Sequence, residues 1–173
     1  FIDFQMIAAL SRKLIDAKTP RFFFVADPVR IEVRDAPALE HVHLPVHPGK
    51  EEKRTIELGE NLFLSESDVS LLKGKEIRLL HLYNVQLSPK VSKSKEIGGT
   101  FTSLENKNIP KVHWVSRGIP VRVYMPDATW KEGLGEEGLS TLHIGDVVQF
   151  ERFGFVKLDA KKEGVLEFWF THA

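Results

Sequence analysis

Short stretches rich in β-branched and aromatic residues, separated by turn residues, most constrain how this chain can fold. Examples are RFFFVAD at 21–27, EIRLLHLYNVQL at 76–87 and DVVQFERFGFVKLD at 146–159. Turn residues such as PGK at 48–50 and GG at 98–99 lie between such stretches. Many short strands at this spacing are typical of small barrels rather than of an α/β sheet. We therefore predict an all-β fold of antiparallel β-barrels.

Only one segment predicts a helix. FQMIAALSRKLIDAK at 4–18 places apolar residues near helical spacing, Asp3 can cap its start, and Pro20 ends it. KEGLGEEGLS at 131–140 has closely spaced glycines, so we predict a loop with one helical turn. We interpret KVSKSKEIGG at 90–99 as a basic hairpin loop.

Composition excludes several classes of function. The absence of cysteine removes disulfides, Cys-ligated zinc and thiol nucleophiles, and it favours a reducing compartment. No apolar run approaches the roughly 20 residues needed to cross a bilayer. We therefore expect a soluble, cytoplasmic protein with no membrane partner. Because the sequence starts with Phe1 rather than methionine, we expect a fragment of a longer chain.

Charge is unevenly distributed although the net charge is zero. Residues 71–122 contain ten basic and three acidic side chains, whereas 26–68 contain five basic and ten acidic ones. Such segregation favours a surface that faces a polyanion, because phosphate contacts by Lys and Arg supply much of nucleic-acid affinity. A solvated charged surface is the alternative.

The tetrapeptide QFER at 149–152 is the best candidate for a binding site. On a strand, Gln149 and Glu151 project to one face while Phe150 projects to the other. Gln149 offers a donor and an acceptor, Glu151 offers acceptors and Arg152 offers donors, and such groups read the edges of unstacked RNA bases. The alternative is an exposed polar face on which Arg152 pairs with a neighbour.

Catalytic and metal sites are not predicted. His41, His43 and His47 could supply imidazole ligands, but no nearby residue completes a zinc pattern with recognisable spacing. No nucleophile occurs with a base and an orienting acid at a convincing spacing. We predict no catalytic, metal-binding or cofactor-binding residue in this chain.

Four blocks, in order along the chain, resemble the C-terminal half of the glutaminyl/glutamyl-tRNA synthetases of the archaeal and eukaryotic type. They are TPRFFFVADPVRIEV at 19–33, LLKGKEIRLLHLYNVQL at 71–87, PKVHWVSRGIPVRVYMPD at 110–127 and GDVVQFERFGFVKLD at 145–159. The ending VLEFWFTH is more similar to archaeal glutamyl members than to bacterial glutaminyl ones. HIGD at 143–146 and KVSKS at 90–94 resemble the HIGH and KMSKS signatures of class I synthetases. They occur in the reverse order here, so we interpret both matches as accidental.

The resemblance implies a division of the chain. Residues 1–19 would form a linker helix from the catalytic core. Residues 20–76 and 147–173 would form a discontinuous proximal barrel, and residues 77–146 an inserted distal barrel. The two barrels would clasp the splayed anticodon loop of a tRNA.

The resemblance also implies which residues contact the tRNA. Arg21 and Gln149 match residues that contact the central anticodon uridine in glutaminyl relatives, with Glu151 and Arg152 in the same pocket. Arg78 matches a basic residue near the first anticodon base. From the basic segment we expect contacts to the tRNA backbone from Lys90, Lys93, Lys95, Lys111 and Arg117.

The implied function is anticodon recognition within an ATP-dependent glutamate-tRNA ligase. The partners would be glutamate tRNA, with glutamine tRNA as a further candidate, and the missing catalytic domain in the same polypeptide. ATP and Mg would be used by the full-length enzyme and not by these 173 residues. The alternatives are the equivalent region of a glutaminyl-tRNA synthetase, a general RNA-binding barrel and a protein-interaction module.

Overall fold

Strands account for most of the structure, a computed structural model that describes residues 5–7 and 19–173. The strands form a seven-stranded sheet, a six-stranded sheet and a two-stranded ribbon. The two larger sheets are barrel-like, which confirms the prediction of an all-β fold with two barrels. Residues 5–7 are helical, and the rest of the predicted linker helix at 1–19 lies almost wholly outside the described residues.

Residues 19–173 contain fifteen strands and one α-helix. In chain order the elements are β1 (Arg21–Phe22), β2 (Phe24–Ala26), β3 (Pro28–Arg34), β4 (His41–Pro45), β5 (Lys53–Glu57), β6 (Leu62–Ser65), α1 (Glu66–Leu72), β7 (Glu76–Leu79), β8 (Asn84–Val91), β9 (Glu96–Ser103), β10 (Lys111–Val112), β11 (Gly118–Tyr124), β12 (Trp130–Glu136), a 3-10 helix (Glu137–Thr141), β13 (Val147–Phe150), β14 (Gly154–Lys162) and β15 (Val165–His172). The turn between β8 and β9 confirms the predicted hairpin.

The seven-stranded sheet has the order β1-β13-β14-β15-β11-β12-β2, so its two edge strands are consecutive in sequence. The six-stranded sheet has the order β10-β7-β8-β9-β3-β6, and β4 pairs with β5. Most neighbours are antiparallel, as predicted, but β1/β13, β11/β15, β3/β9 and β7/β10 are parallel. In each parallel pair the chain passes through other elements between the two strands.

The strands pair across the barrel boundaries that the family resemblance implies, and those boundaries stay a prediction. Residues 20–76 were assigned to one barrel, yet β2 and β3 belong to different sheets. Likewise, 77–146 were assigned to the inserted barrel, but β11 and β12 pair with β15 and β2. The chain crosses between the sheets at Asp27, whose φ is 49°, and Asp27 N donates to the carbonyl of Glu132 at 2.9 Å.

Each larger sheet encloses its own apolar core, and consecutive phenylalanines point into different cores. Phe23 packs in the core of the six-stranded sheet, where its ring lies 5.7 Å from that of Trp114. Phe24 packs in the other core, stacked on Phe150 at 4.9 Å. Successive side chains of an extended chain project to opposite sides, so this segment joins the two barrels. Arg21 lies at its start.

Two local predictions were wrong or incomplete. Residues 131–140 were predicted as a loop with one helical turn; β12 instead continues to Glu136, and the helical turn is the 3-10 helix Glu137–Thr141. The glycine at 133 permits this strand, because a Cβ there would lie 1.9 Å from the carbonyl oxygen of Val25 on the neighbouring strand. The short helix α1 was not predicted, although Ser65 caps it by accepting from the backbone N–H of Asp68. Over the residues described, no helix combines the length and apolar character needed to span a membrane.

Candidate nucleic-acid interface

Arg21 and Gln149 lie side by side, although the sequence separates them widely. They are register partners in the parallel pair β1/β13, and Gln149 N donates to the carbonyl of Pro20 at 3.0 Å. The next register pair, Phe22 and Phe150, faces the core, so Arg21 and Gln149 share the outer face of the sheet. The fold thus brings Arg21 and Gln149 next to each other in the sheet, and their joint role in reading a base stays a prediction.

The side chain of Gln149 keeps hydrogen-bonding capacity for a ligand. Residue 149 is half-buried, and its Oε1 atom is buried without a hydrogen-bond donor among the residues that the structure describes. Buried polar atoms are nearly always hydrogen-bonded, so this amide oxygen lacks a partner, which it could gain from outside the chain only if the side chain turned toward solvent. An N–H group of a nucleobase edge is such a partner.

A buried ion pair fixes the backbone next to Arg21. Glu136 Oε1 accepts a hydrogen bond from Phe23 N at 2.7 Å and lies 2.8 Å from Arg54 Nη2. Both carboxylate oxygens also accept from Arg54 Nε, at 3.0 and 2.9 Å. Burial raises the pKa of Glu136, and the Arg54 guanidinium opposes that rise. The pair ties β5 and β12 to the chain segment that follows Arg21.

A second ion pair fixes the turn after Gln149. Arg152 has a φ of 61° and donates to both oxygens of Asp68 in α1, at 2.9 and 3.0 Å. Its Nη1 also donates to Nδ1 of His113 at 3.2 Å. Burial would raise the pKa of Asp68, but the hydrogen bond and charge of Arg152 outweigh it and lower that pKa. Burial, reinforced by the charge of Arg152, lowers the pKa of His113 to about 4.

This arrangement gives Arg152 a structural partner. Arg152 was expected in the base-reading pocket, and the alternative was a pairing with a neighbouring acidic residue. The acidic partner of Arg152 is Asp68, which lies on α1 next to the six-stranded sheet and not within the QFER segment. The side chain of Arg152 is 43% exposed, so the guanidinium holds the two barrels together at the surface of the molecule.

Arg78 on β7 and Glu151 in the turn after β13 both affect the imidazole of His81. Arg78 Nη1 donates to Asn84 Oδ1 at 3.0 Å and to the carbonyls of Leu104 and Glu105. Partial desolvation lowers the pKa of His81; Glu151 opposes this shift, and Arg54 and Arg78 add to it. The His81 imidazole is thus influenced by charges from both parts of the structure.

The predicted backbone-contacting residues are exposed and spread over the six-stranded sheet and its junction with β11. Lys90, Lys93 and Lys95 surround the β8–β9 turn, and Lys111 lies on β10 in register with Arg78. Arg117 forms an exposed ion pair with Glu57 at 2.9 Å. These side chains do not meet at one point, and their contact with a phosphate backbone stays a prediction.

The residues that hold the site together were missed from sequence. Arg54 and Glu136, and Asp68 and His113, lie far apart in the chain, and no spacing rule links them. Ser65 followed by Asp68 is a cap pattern that signals α1 and thereby the position of Asp68. His113 lies in the HWV motif beside the buried Trp114.

Comparison with known families agrees with this geometry. Residues 19–105 and 111–159 match two family models, each described as the anticodon-binding domain of class I tRNA synthetases of the E and Q type. The chain therefore belongs to the class I E/Q tRNA-synthetase family, in its anticodon-binding part. The matched regions include Arg21, Arg78 and Gln149.

Three proteins similar to this chain are glutamate–tRNA ligases of archaea. The chain is similar to the glutamate–tRNA ligase of Pyrococcus abyssi, with 38% identity over 94% of this chain and 30% of that protein. It is also similar to the glutamate–tRNA ligases of Methanococcoides burtonii, at 36% identity over 99% of this chain, and Archaeoglobus fulgidus, at 32% over 99%. The chain spans about 30% of the length of these relatives.

Proposed function

We propose that this chain is the anticodon-reading part of a glutamate–tRNA ligase. In this proposal Arg21 and Gln149 together read the middle anticodon base, and Glu151 lies in the same pocket. The observation that carries the proposal is the register pairing of Arg21 with Gln149 on the outer face of one sheet. An arginine and a glutamine side by side offer several donors and one acceptor in a fixed arrangement, which suits the edge of one base.

The two ion pairs support this reading by holding both strands in place. Arg54–Glu136 fixes the backbone after Arg21, and Arg152–Asp68 fixes the turn after Gln149. Groups that recognise a base must be held within a fraction of an ångström, so we assign Arg152 a positioning role rather than direct base contact. Arg78, which lies across the junction, remains the candidate for the first anticodon base.

Affinity without sequence selectivity would come from exposed cations. Lys90, Lys93, Lys95 and Lys111 have the charge and exposure to contact phosphates. Arg117 would join them by exchanging its exposed partner Glu57 for a phosphate, since exposed ion pairs contribute little free energy.

The whole protein's reaction is part of the proposal. The relatives are named as ligases of glutamate to tRNA, and this chain spans about 30% of their length. We place ATP, Mg²⁺ and the amino acid in the remaining length of such a protein. The described residues contain no group of three or more His, Cys, Asp or Glu that could hold a metal ion.

The proposal is tested by binding of anticodon stem-loop RNAs that differ only at the middle anticodon base. We expect the unmodified chain to prefer the glutamate anticodon, and Gln149→Ala to lose roughly 1 to 3 kcal/mol of that preference. Fluorescence anisotropy with labelled stem-loops at fixed salt measures both numbers.

Ala substitution of Glu57 provides a matched control, since Glu57 is exposed and is not assigned to base reading; the release of Arg117 should change the affinity for all stem-loops alike. The substitution should leave the preference between anticodons unchanged. Equal binding of all stem-loops by the unmodified chain would indicate a general RNA-binding barrel. Absence of RNA binding would favour a protein-interaction module.

A further inference from the structure

A row of exposed side chains crosses the outer face of the seven-stranded sheet. Val147, Lys157, Trp169, Tyr124 and Trp130 are successive register partners on β13, β14, β15, β11 and β12. Register partners of neighbouring strands project to the same face, so these five side chains form one line. We call Trp169, Tyr124 and Trp130 the aromatic row.

The three rings of the aromatic row are close together and open to solvent. The Tyr124 ring centroid lies 5.1 Å from that of Trp130 and 6.1 Å from that of Trp169. Trp169 is 53% exposed and Trp130 is 38% exposed, which is unusual for side chains of this size. The Arg122 guanidinium lies 4.2 Å from the centroid of Trp130, a cation–π contact.

The charges beside the aromatic row are largely paired with each other. Arg122 lies 3.3 Å from Glu132 and 3.4 Å from Glu167, and Lys162 lies 3.7 Å from Glu167. Lys157 adjoins Trp169 in the register, is exposed and forms no ion pair with the residues described. The free charge next to the rings is therefore positive.

The aromatic row is continuous with the residues that we assign to base reading. Gln149 lies two residues beyond Val147 on β13 and therefore projects to the same face. Across the next strands, Phe155 is the register partner of Gln149, and its ring stacks on His172 at 4.4 Å and 12°. Phe155 is buried under His172, so the exposed path from Gln149 to Trp169 runs through Val147 and Lys157.

We propose that the aromatic row is a second RNA-contact surface, on which unpaired bases stack regardless of their identity while Lys157 contacts a phosphate. This inference rests on the proposed function, because the RNA read by Arg21 and Gln149 supplies the neighbouring unpaired nucleotides. Aromatic side chains with adjacent cations are the usual means of binding single-stranded nucleic acid without sequence preference. A protein partner fits less well, since the next row along the sheet is charged and the cores of protein interfaces are depleted of charge.

Binding of an unstructured RNA separates this surface from the anticodon pocket. The probe is a twelve-residue oligouridylate, which lacks an anticodon stem-loop. We expect Trp169→Ala to weaken its binding about five- to 150-fold, since stacking on one aromatic ring contributes about 1 to 3 kcal/mol per base. Trp169→Phe should retain most of the affinity, and Leu71→Ala, at an exposed apolar residue of α1, should have no effect.

A second measurement on the unmodified chain does not depend on any variant. Trp114 is fully buried, so acrylamide quenching of tryptophan fluorescence reports on Trp130 and Trp169. Saturating oligouridylate should protect this fluorescence from acrylamide. The proposal is overturned if oligouridylate leaves the quenching unchanged and Trp169→Ala binds oligouridylate with unchanged affinity. It is also overturned if the only effect of Trp169→Ala is loss of self-association or of a protein contact.

The outcome also distinguishes this inference from the proposed function. If the chain discriminates between anticodon stem-loops but Trp169→Ala binds RNA normally, the aromatic row does not contact RNA and the anticodon assignment stands. If Trp169→Ala loses oligouridylate binding in a chain that does not discriminate between anticodons, the row is an RNA surface and the anticodon assignment fails.

Discussion

Removing either partner of the Arg152–Asp68 ion pair should destabilise the protein, but by different amounts. In Asp68→Ala the two charge-assisted hydrogen bonds at 2.9 and 3.0 Å are lost, but the Arg152 side chain, 43% exposed, can turn to water. In Arg152→Ala the carboxylate of Asp68, only 10% exposed, stays behind without its cation. Leaving a buried charge unpaired is the larger penalty.

The expected magnitudes follow from these exposures. Asp68→Ala should lower the free energy of unfolding by about 1 to 2 kcal/mol, the lower part of the range for hydrogen bonds to charged groups. Arg152→Ala should lower it by about 3 kcal/mol at neutral pH. This difference should shrink on acidification, because the orphaned carboxylate can then take up a proton. Urea unfolding of the two single variants and the double variant gives both values and their coupling energy.

Arg117–Glu57 is the matched control, since its N–O distance is also 2.9 Å but its side chains are 53% and 64% exposed. Its coupling energy should stay below about 0.5 kcal/mol, as for other exposed pairs. The reasoning is refuted if Asp68→Ala costs as much as Arg152→Ala, or if the two pairs show the same coupling energy.

Three further predictions concern pH, packing and salt. The folded pKa of His113, about 4, lies below its ordinary value of 6.5, so the free energy of unfolding should fall by about 3 kcal/mol as the pH drops from 6.5 through 4. His113→Gln should flatten this pH profile. An unchanged profile would contradict the assignment. Gly133→Ala should destabilise the chain by about 3 kcal/mol or more in urea unfolding, because its Cβ would meet the carbonyl of Val25. Gly164→Ala, in open space at a φ of 80°, should cost only about 1 kcal/mol. Equal costs would count against the packing argument. Lys93→Ala should weaken binding of every RNA alike and lower the slope of log affinity against log salt by about 1, and an unchanged slope would remove Lys93 from the phosphate contacts.

The fold class was predictable because alternation along the chain is a local signal. The strands at 21–26 and 147–150 stand out from their β-branched and aromatic residues, and the basic hairpin at 90–99 from its turn residues. The strand β12 was not predicted because closely spaced glycines usually indicate a loop. Here Gly133 is needed for the close approach of Val25, which the sequence does not show.

The assignment of strands to sheets could not be read from the sequence, since it depends on long-range pairing. The turn at Asp27 looks like an ordinary hairpin signal, yet it carries the chain from one sheet to the other. For the site, residue types alone pointed only to QFER at 149–152. The link from Gln149 to Arg21 came from the family resemblance, and the structure supplied the residues that hold the two strands, such as Glu136 and Asp68.

The central claim is that Arg21 and Gln149, brought together from distant parts of the chain, read one base jointly. A double-mutant cycle on anticodon preference tests it most directly: stem-loops with the correct or a changed middle base are titrated against Arg21→Ala, Gln149→Ala and the double variant. The account predicts strong non-additivity, with a coupling of about 1 kcal/mol or more in the preference at that base. Additive losses, or a preference that neither substitution changes, would contradict it.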